Sequence, residues 1–126
     1  MVSLSTIQLS NSLISSALPS HLIAVFVGAT SGIGETTLKQ FAKHAKTPRA
    51  YFLGRSQDAG DRIAAECRAI NPQGEYVFLK ADVGLICVVD QVCQEIKERE
   101  RAINILFLSA GVPDMSCGGM MLSIPI

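Results

Sequence analysis

The chain has 126 residues, enough for one domain with a core of its own. Hydrophobic residues make up 48% and charged residues 17%, which excludes a disordered chain and fits a buried sheet. Lys and Arg number 11 against 11 Asp and Glu, so no global field favours nucleic acid or an anionic membrane, and charge selectivity must be local.

Residues 1–20 are rich in serine, with Leu4, Ile7, Leu9, Leu13, Ile14 and Leu18 spaced among polar residues. This pattern is compatible with a short amphipathic helix lying against the domain, ended by Pro19. Leu22 to Val27 is a short apolar run of the kind that forms a strand buried on both faces. It stops at Gly28-Ala29-Thr30-Ser31-Gly32-Ile33-Gly34 and opens into a helical pattern carrying Ile33, Leu38, Phe41, Ala42 and Ala45 on one face. Glycines at 28, 32 and 34 allow a sharp turn and let backbone approach a bulky anion without a Cβ in the way. The helix that follows aims its free N–H groups and its positive dipole end at the same place. Thr30 and Ser31 are available to bond a phosphate or to brace the turn. A strand, this turn and a helix together predict a site for the pyrophosphate of a dinucleotide.

Ala50 to Leu53 is a second short strand. About 20 residues past the glycines, a fold that prefers NAD carries an acid bonded to the ribose hydroxyls. Here that place holds Gly54-Arg55-Ser56. The Arg55 fork suits a 2′-phosphate, with Ser56 as support, so NADP is favoured over NAD; the alternative is a surface arginine that follows a strand. Ser56 to Ile70 is a second helix and Tyr76 to Leu79 a third strand. Asp82 comes next, either capping the helix expected over Val83 to Arg101 or accepting from an adenine amino group. Ile103 to Leu108 is a fourth strand, apolar apart from Asn104. Strands alternating with helices imply a parallel sheet, and right-handed crossovers give it the spatial order 3-2-1-4. Residues 113–126 read as an irregular tail.

Cys67, Cys87, Cys93 and Cys117 form no C-x-x-C pair, and His21 and His44 lie far from them in sequence, so no metal site is expected. Reduced thiols of an intracellular protein are the plainer reading. No apolar run reaches the roughly 20 residues of a membrane span. Residues 1–20 contain no Lys or Arg, unlike a secretory signal or a transit peptide, and cytoplasm is the expected location.

Gly28-Ala29-Thr30-Ser31-Gly32-Ile33-Gly34, then Arg55, then Asp82-Val83, then Leu108-Ser109-Ala110-Gly111 resembles the short-chain dehydrogenase/reductase family in order and spacing. The likeness covers about residues 22–113, the N-terminal half of a family domain. It implies an α/β, Rossmann-like parallel sheet flanked by helices, occupying residues 21–112 and truncated after the fourth strand. It further implies that the glycine turn holds the cofactor pyrophosphate, that Asp82 and Val83 contact adenine, and that Ala110-Gly111 lies under the cofactor. Two positions depart from the family pattern: Val27 replaces the usual Thr, and Leu108-Ser109 replaces an Asn-Asn pair.

In the family, a Tyr with a Lys four residues on, a Ser and an Asn carry the proton chemistry beyond the fourth strand, where this sequence has only residues 113–126. No catalytic residue is therefore assigned. Tyr76 and Lys80 match Y-x-x-x-K in letters only. The pair needs the 5–6 Å of a helical turn, whereas four strand residues span roughly 13 Å. The resemblance implies NADP-dependent hydride transfer between a carbonyl and an alcohol, and the sequence looks like fungal members, many of which act in secondary metabolism. The alternatives are a catalytically inactive nucleotide-binding fragment and an interaction module that self-associates through its open sheet edge. Expected partners are a dinucleotide and a small carbonyl or alcohol substrate, with neither nucleic acid nor membrane.

Overall fold

A computed structural model of the chain describes residues 1–110, 112–114 and 121–123. After two short N-terminal helices, α1 (Leu4–Ser12) and α2 (Ile14–Ala17), the elements run β1 (Ile23–Val27), α3 (Gly32–His44), β2 (Arg49–Gly54), α4 (Gln57–Ile70), β3 (Glu75–Lys80), α5 (Ile86–Arg99) and β4 (Ile105–Leu108). The four strands form one parallel sheet in the order β3-β2-β1-β4, as the crossover rule predicts.

Alternation along the strands gives the sheet two apolar faces. Ala24, Phe26, Ala50, Phe52 and Tyr76 point to the face covered by α3 and α4, where they meet Leu38, Ala42, Ile63 and Cys67. Val25, Tyr51, Leu53 and Leu79 point to the other face and meet Val92 and Ile96 of α5. The connections β1-α3-β2 and β2-α4-β3 step one way along the sheet, and β3-α5-β4 steps back. With one handedness for all three, α5 must lie on the opposite face. Phe26 and Phe52 are fully buried and each contributes about 1.5–3 kcal/mol by leaving water. Phe26 packs against Phe41 and Phe107 with ring centroids 5.6 and 5.8 Å apart.

β1 and β4 are tied below the strand by Asn104, the polar exception noted in the sequence. Its backbone N–H donates to the Ile23 carbonyl at 2.8 Å, and its side-chain Oδ1 accepts from the Ile23 N–H at 2.9 Å. β4 therefore begins at Ile105, not Ile103. Leu106 and Leu108 on its α5-facing side are 61% and 65% exposed, in contrast to the buried centres of β1 and β2. At the same end of the sheet, the Tyr51 hydroxyl donates to Glu100 at 2.8 Å and the Arg49 guanidinium bonds the same carboxylate. Burial works against the Glu100 charge, but these two donors outweigh it and hold the carboxyl below its ordinary value.

Three expectations need correction. The N-terminal helix exists, capped by Ser3, whose Oγ accepts from the Thr6 N–H, but no residue of it is buried. Its apolar residues do not gather on one side, so it has no face to lay on the domain. The third long helix starts at Ile86 rather than Val83, because Asp82 folds residues 82–85 into a turn. Its Oδ1 accepts from the Gly84 N–H at 3.0 Å and its carbonyl from the Leu85 N–H at 3.1 Å. Finally, the stretch read as irregular contains two three-residue strands, β5 (Val112–Asp114) and β6 (Met121–Ser123), paired antiparallel with each other and not with the main sheet. Among the described residues no helix is long and apolar enough to cross a membrane.

Candidate functional site

The strand order reverses between β1 and β4, and α/β sheets open a crevice at the carboxyl ends of their strands at such a point. The chain leaves β1 through Gly28 at φ +86° and enters α3 through Gly32 at φ +57°, both in the left-handed region that favours glycine. A Cβ on Gly28 would lie 2.8 Å from the Ala110 nitrogen and 2.9 Å from the Ser109 carbonyl carbon, so the end of β4 crosses directly over the turn. The Ser109 N–H fixes that crossing by donating to the Val27 carbonyl at 2.8 Å. A Cβ on Gly34 would stand 2.2 Å from the Gly28 carbonyl oxygen. Each of these glycines is thus accounted for: 28 by conformation and contact, 32 by conformation, 34 by contact.

Ser31 precedes α3 in extended conformation and makes no side-chain capping bond, which leaves the first N–H groups of the helix available to an anion. Glu35 in the first turn does not cancel that field. Lys39 bonds it at 2.7 Å and Arg62 at 3.0 Å. The Lys39 bond, resisted by burial and assisted by Arg62, holds the Glu35 carboxyl below its ordinary value; both cations also pair with Glu66, so the two acids and two bases balance locally.

A cleft of about 380 Å3 opens over this turn. Of the residues expected at a nucleotide site, Gly28, Thr30, Ser31, Arg55, Asp82, Val83 and Ala110 line it. They come from the carboxyl ends of all four strands, so the fold brings together positions that are far apart in sequence. Gly32, Ile33, Gly34 and Ser56 do not line it. Gly34 is buried beneath the turn and the Ile33 side chain is 75% exposed at the start of α3. The Ser56 hydroxyl accepts from the Ala59 N–H at 3.3 Å and caps α4, an N-cap duty that the sequence reading did not assign to it. Of the two roles open to Asp82 in the sequence, capping of α5 is not taken up, since Leu85 occupies that position. Gly111 lies outside the described residues. Sequence reasoning missed Leu53, Gly54, Ala81, Gly84 and Ser109 as lining residues. Leu53, Gly54, Ala81 and Ser109 sit at or just beyond strand ends, and that position alone was the signal for them.

Residues 22–123 match the family described as short chain dehydrogenase. The chain belongs to that family. It is 43% identical over 119 residues to the oxidoreductase AN1596 of Emericella nidulans, covering 94% of this chain and 34% of the relative. It is 45% identical over 113 residues to the NmrA-like family domain-containing oxidoreductase notO of an Aspergillus species, covering 88% of this chain and 34% of that one. The chain spans about a third of the length of the curated relatives it matches. Among solved structures, an L-sorbose reductase from Gluconobacter frateurii complexed with NADPH and L-sorbose aligns with a TM-score of 0.65 at 22% identity, over 79% of this chain and 38% of that one. At that identity the likeness is one of fold.

Neither tyrosine of this short-chain dehydrogenase chain lines the cleft. Tyr51 lies on β2, bonded to Glu100, and Tyr76 on β3, where it is buried and donates to the Asn71 carbonyl at 2.9 Å. Burial pushes the Tyr76 hydroxyl up to about 12, away from the range useful to a proton donor at neutral pH. The Y-x-x-x-K letters at Tyr76 and Lys80 are thus a strand feature.

Proposed function

We propose that these residues form the NADP(H)-binding part of a short-chain dehydrogenase/reductase that interconverts a carbonyl and an alcohol. The observation that carries the reading is the convergence of the uncapped α3 N-terminus, the Gly28 turn, Arg55 and Asp82 on one cleft. The free N–H groups of α3, with Thr30 and Ser31 beside them, hold the pyrophosphate. Arg55, at the end of β2 where no acid stands, takes the 2′-phosphate by paired charge-assisted bonds. Asp82 and Val83 flank the adenine. Ala110, whose backbone crosses Gly28, sits under the remainder of the cofactor, with Gly111 following. When bound, the dinucleotide supplies or accepts the hydride.

In this reading the residues that line the cleft bind and orient the cofactor. The relatives at 40–45% identity are oxidoreductases of Emericella and Aspergillus species, which supports an oxidoreductase of fungal type. Fluorescence titration of the 126-residue chain with NADPH and NADH tests the proposal. Tighter binding of NADPH supports it; equal or tighter binding of NADH refutes the Arg55 assignment, and binding of neither refutes the whole reading.

A further inference from the structure

A packing contact beside Arg55 bears on how the chain chooses its cofactor, an inference that rests on the proposed dinucleotide site. Gly54 ends β2 at the place where a ribose-binding acid stands in proteins that prefer NAD. Its own backbone does not demand glycine, since only Gly28 and Gly32 have positive φ among the glycines described. What excludes a side chain there is Thr30. A Cβ built on Gly54 would lie 2.3 Å from Thr30 Cγ2, 3.1 Å from Oγ1 and 3.3 Å from Cβ. Thr30 belongs to the phosphate turn, between fully buried Ala29 and uncapped Ser31, and its β-branched side chain is stiff about χ1. Both residues line the cleft.

We propose that Thr30 is a specificity-determining residue: its methyl fills the space of any side chain at position 54, barring a ribose-binding acid and leaving the 2′ side of the cleft to Arg55. Preference for NADP is then set by two elements acting together. Arg55 attracts the phosphate, and the interlock of the β1 turn with the end of β2 prevents the competing carboxylate from being accommodated. An acid at position 54 becomes tolerable only when Thr30 is trimmed, because alanine at 30 removes the two nearest atoms, at 2.3 and 3.1 Å, and keeps the Cβ at 3.3 Å.

The test uses G54A, G54D, T30A, T30A/G54A and T30A/G54D in the 126-residue chain, with two readouts. In thermal unfolding, G54A lowers Tm by about 5 °C, as overpacking of a fixed neighbour should. Added to T30A, the same change costs less than half as much. In fluorescence titrations, G54D binds NADH no better than the parent chain, and T30A/G54D binds it about ten-fold more tightly than G54D, equivalent to relief of one such clash. Equal Tm losses in the two backgrounds, or NADH binding by G54D that matches T30A/G54D, overturn the proposal. If G54D does not fold, the comparison of T30A/G54D with T30A and the alanine cycle still decide it. A parent chain that binds neither dinucleotide overturns the proposed function and this role with it, whereas a parent chain that binds NADPH while the two G54D backgrounds behave alike overturns the role of Thr30 alone.

Discussion

Replacing Gly28, Gly32 and Gly34 one at a time with alanine separates two costs that the turn combines. At Gly32 an added Cβ meets nothing within 4 Å, so Gly32→Ala costs only the left-handed conformation, about 1–2 kcal/mol. At Gly28 the same conformational cost is joined by contacts at 2.8 and 2.9 Å with backbone atoms of Ala110 and Ser109. Backbone cannot rotate aside, so β4 must shift, adding about 1–3 kcal/mol of overpacking for a total of about 2–5 kcal/mol. Gly34 lies inside α3, where a Cβ would stand 2.2 Å from the Gly28 carbonyl oxygen, also backbone and closer than any contact at Gly28. Overpacking there costs about 3 kcal/mol or more, against about 1 kcal/mol of helix propensity regained. Against a total stability of about 5–15 kcal/mol for a domain, Gly28→Ala and Gly34→Ala each remove a large share and Gly32→Ala a smaller one. Urea unfolding followed by far-ultraviolet circular dichroism gives the three differences directly, provided the m values agree. The reasoning fails if Gly28→Ala and Gly32→Ala cost the same to within about 0.5 kcal/mol, because the crossing of β4 over the turn would then carry no steric weight.

Three further outcomes follow from the structure. Arg55→Ala weakens NADPH binding about ten-fold while leaving NADH within about two-fold, as expected for loss of charge-assisted bonds to one phosphate; equal losses would place Arg55 outside the 2′ side. The Glu100 carboxyl has a folded value below its ordinary 4.5, so its contribution to stability is complete above that value and is lost as pH falls through the folded one. Glu100→Gln therefore lowers stability at neutral pH by about 1–2 kcal/mol, modest because Arg49 is partly solvated, and flattens the loss below about pH 4.5 in acid titrations of unfolding. Cys67 is buried in the α4 core and burial raises its thiol to about 11, whereas Cys87 and Cys93 are exposed. In a Cys117→Ser background at pH 8, a thiol reagent should consume Cys87 and Cys93 quickly and Cys67 only with urea present.

Much of this fold is legible in the sequence because strands buried on both faces read as unbroken apolar runs. Val25-Phe26-Val27 and Tyr51-Phe52-Leu53 have no solvent face to confuse the pattern, and one handedness of crossover then orders them. The glycine turn is legible for a different reason, since three glycines at that spacing serve both conformation and close approach. What escaped was set by partners distant in sequence. The capping role expected of Asp82 yielded to a local turn with Gly84, an equally good use for its carboxylate. Nothing in the order of residues distinguishes Gly54 within Gly54-Arg55-Ser56, and only the position of Thr30 shows why no side chain stands there. Ser56, read as the first residue of its helix and as support for Arg55, is instead the cap of that helix, which starts at Gln57.

The ladder between β1 and β4 joins residues about 80 positions apart, from the Asn104–Ile23 bonds at its base to the Ser109–Val27 bond at its top. Closing so long a loop is entropically slow, and contacts of this separation form only after local helices and the β1-β2-β3 ladder have reduced the distance to be searched. Ser109 and Ala110 at the end of β4 form the wall of the cleft across that seam from the Gly28 turn, so the cleft is not complete until the seam has closed. A molecule that grips both walls is linked by mass action to the last long-range step of folding, and should slow the opening of β4 in hydrogen exchange more than that of β2 or β3.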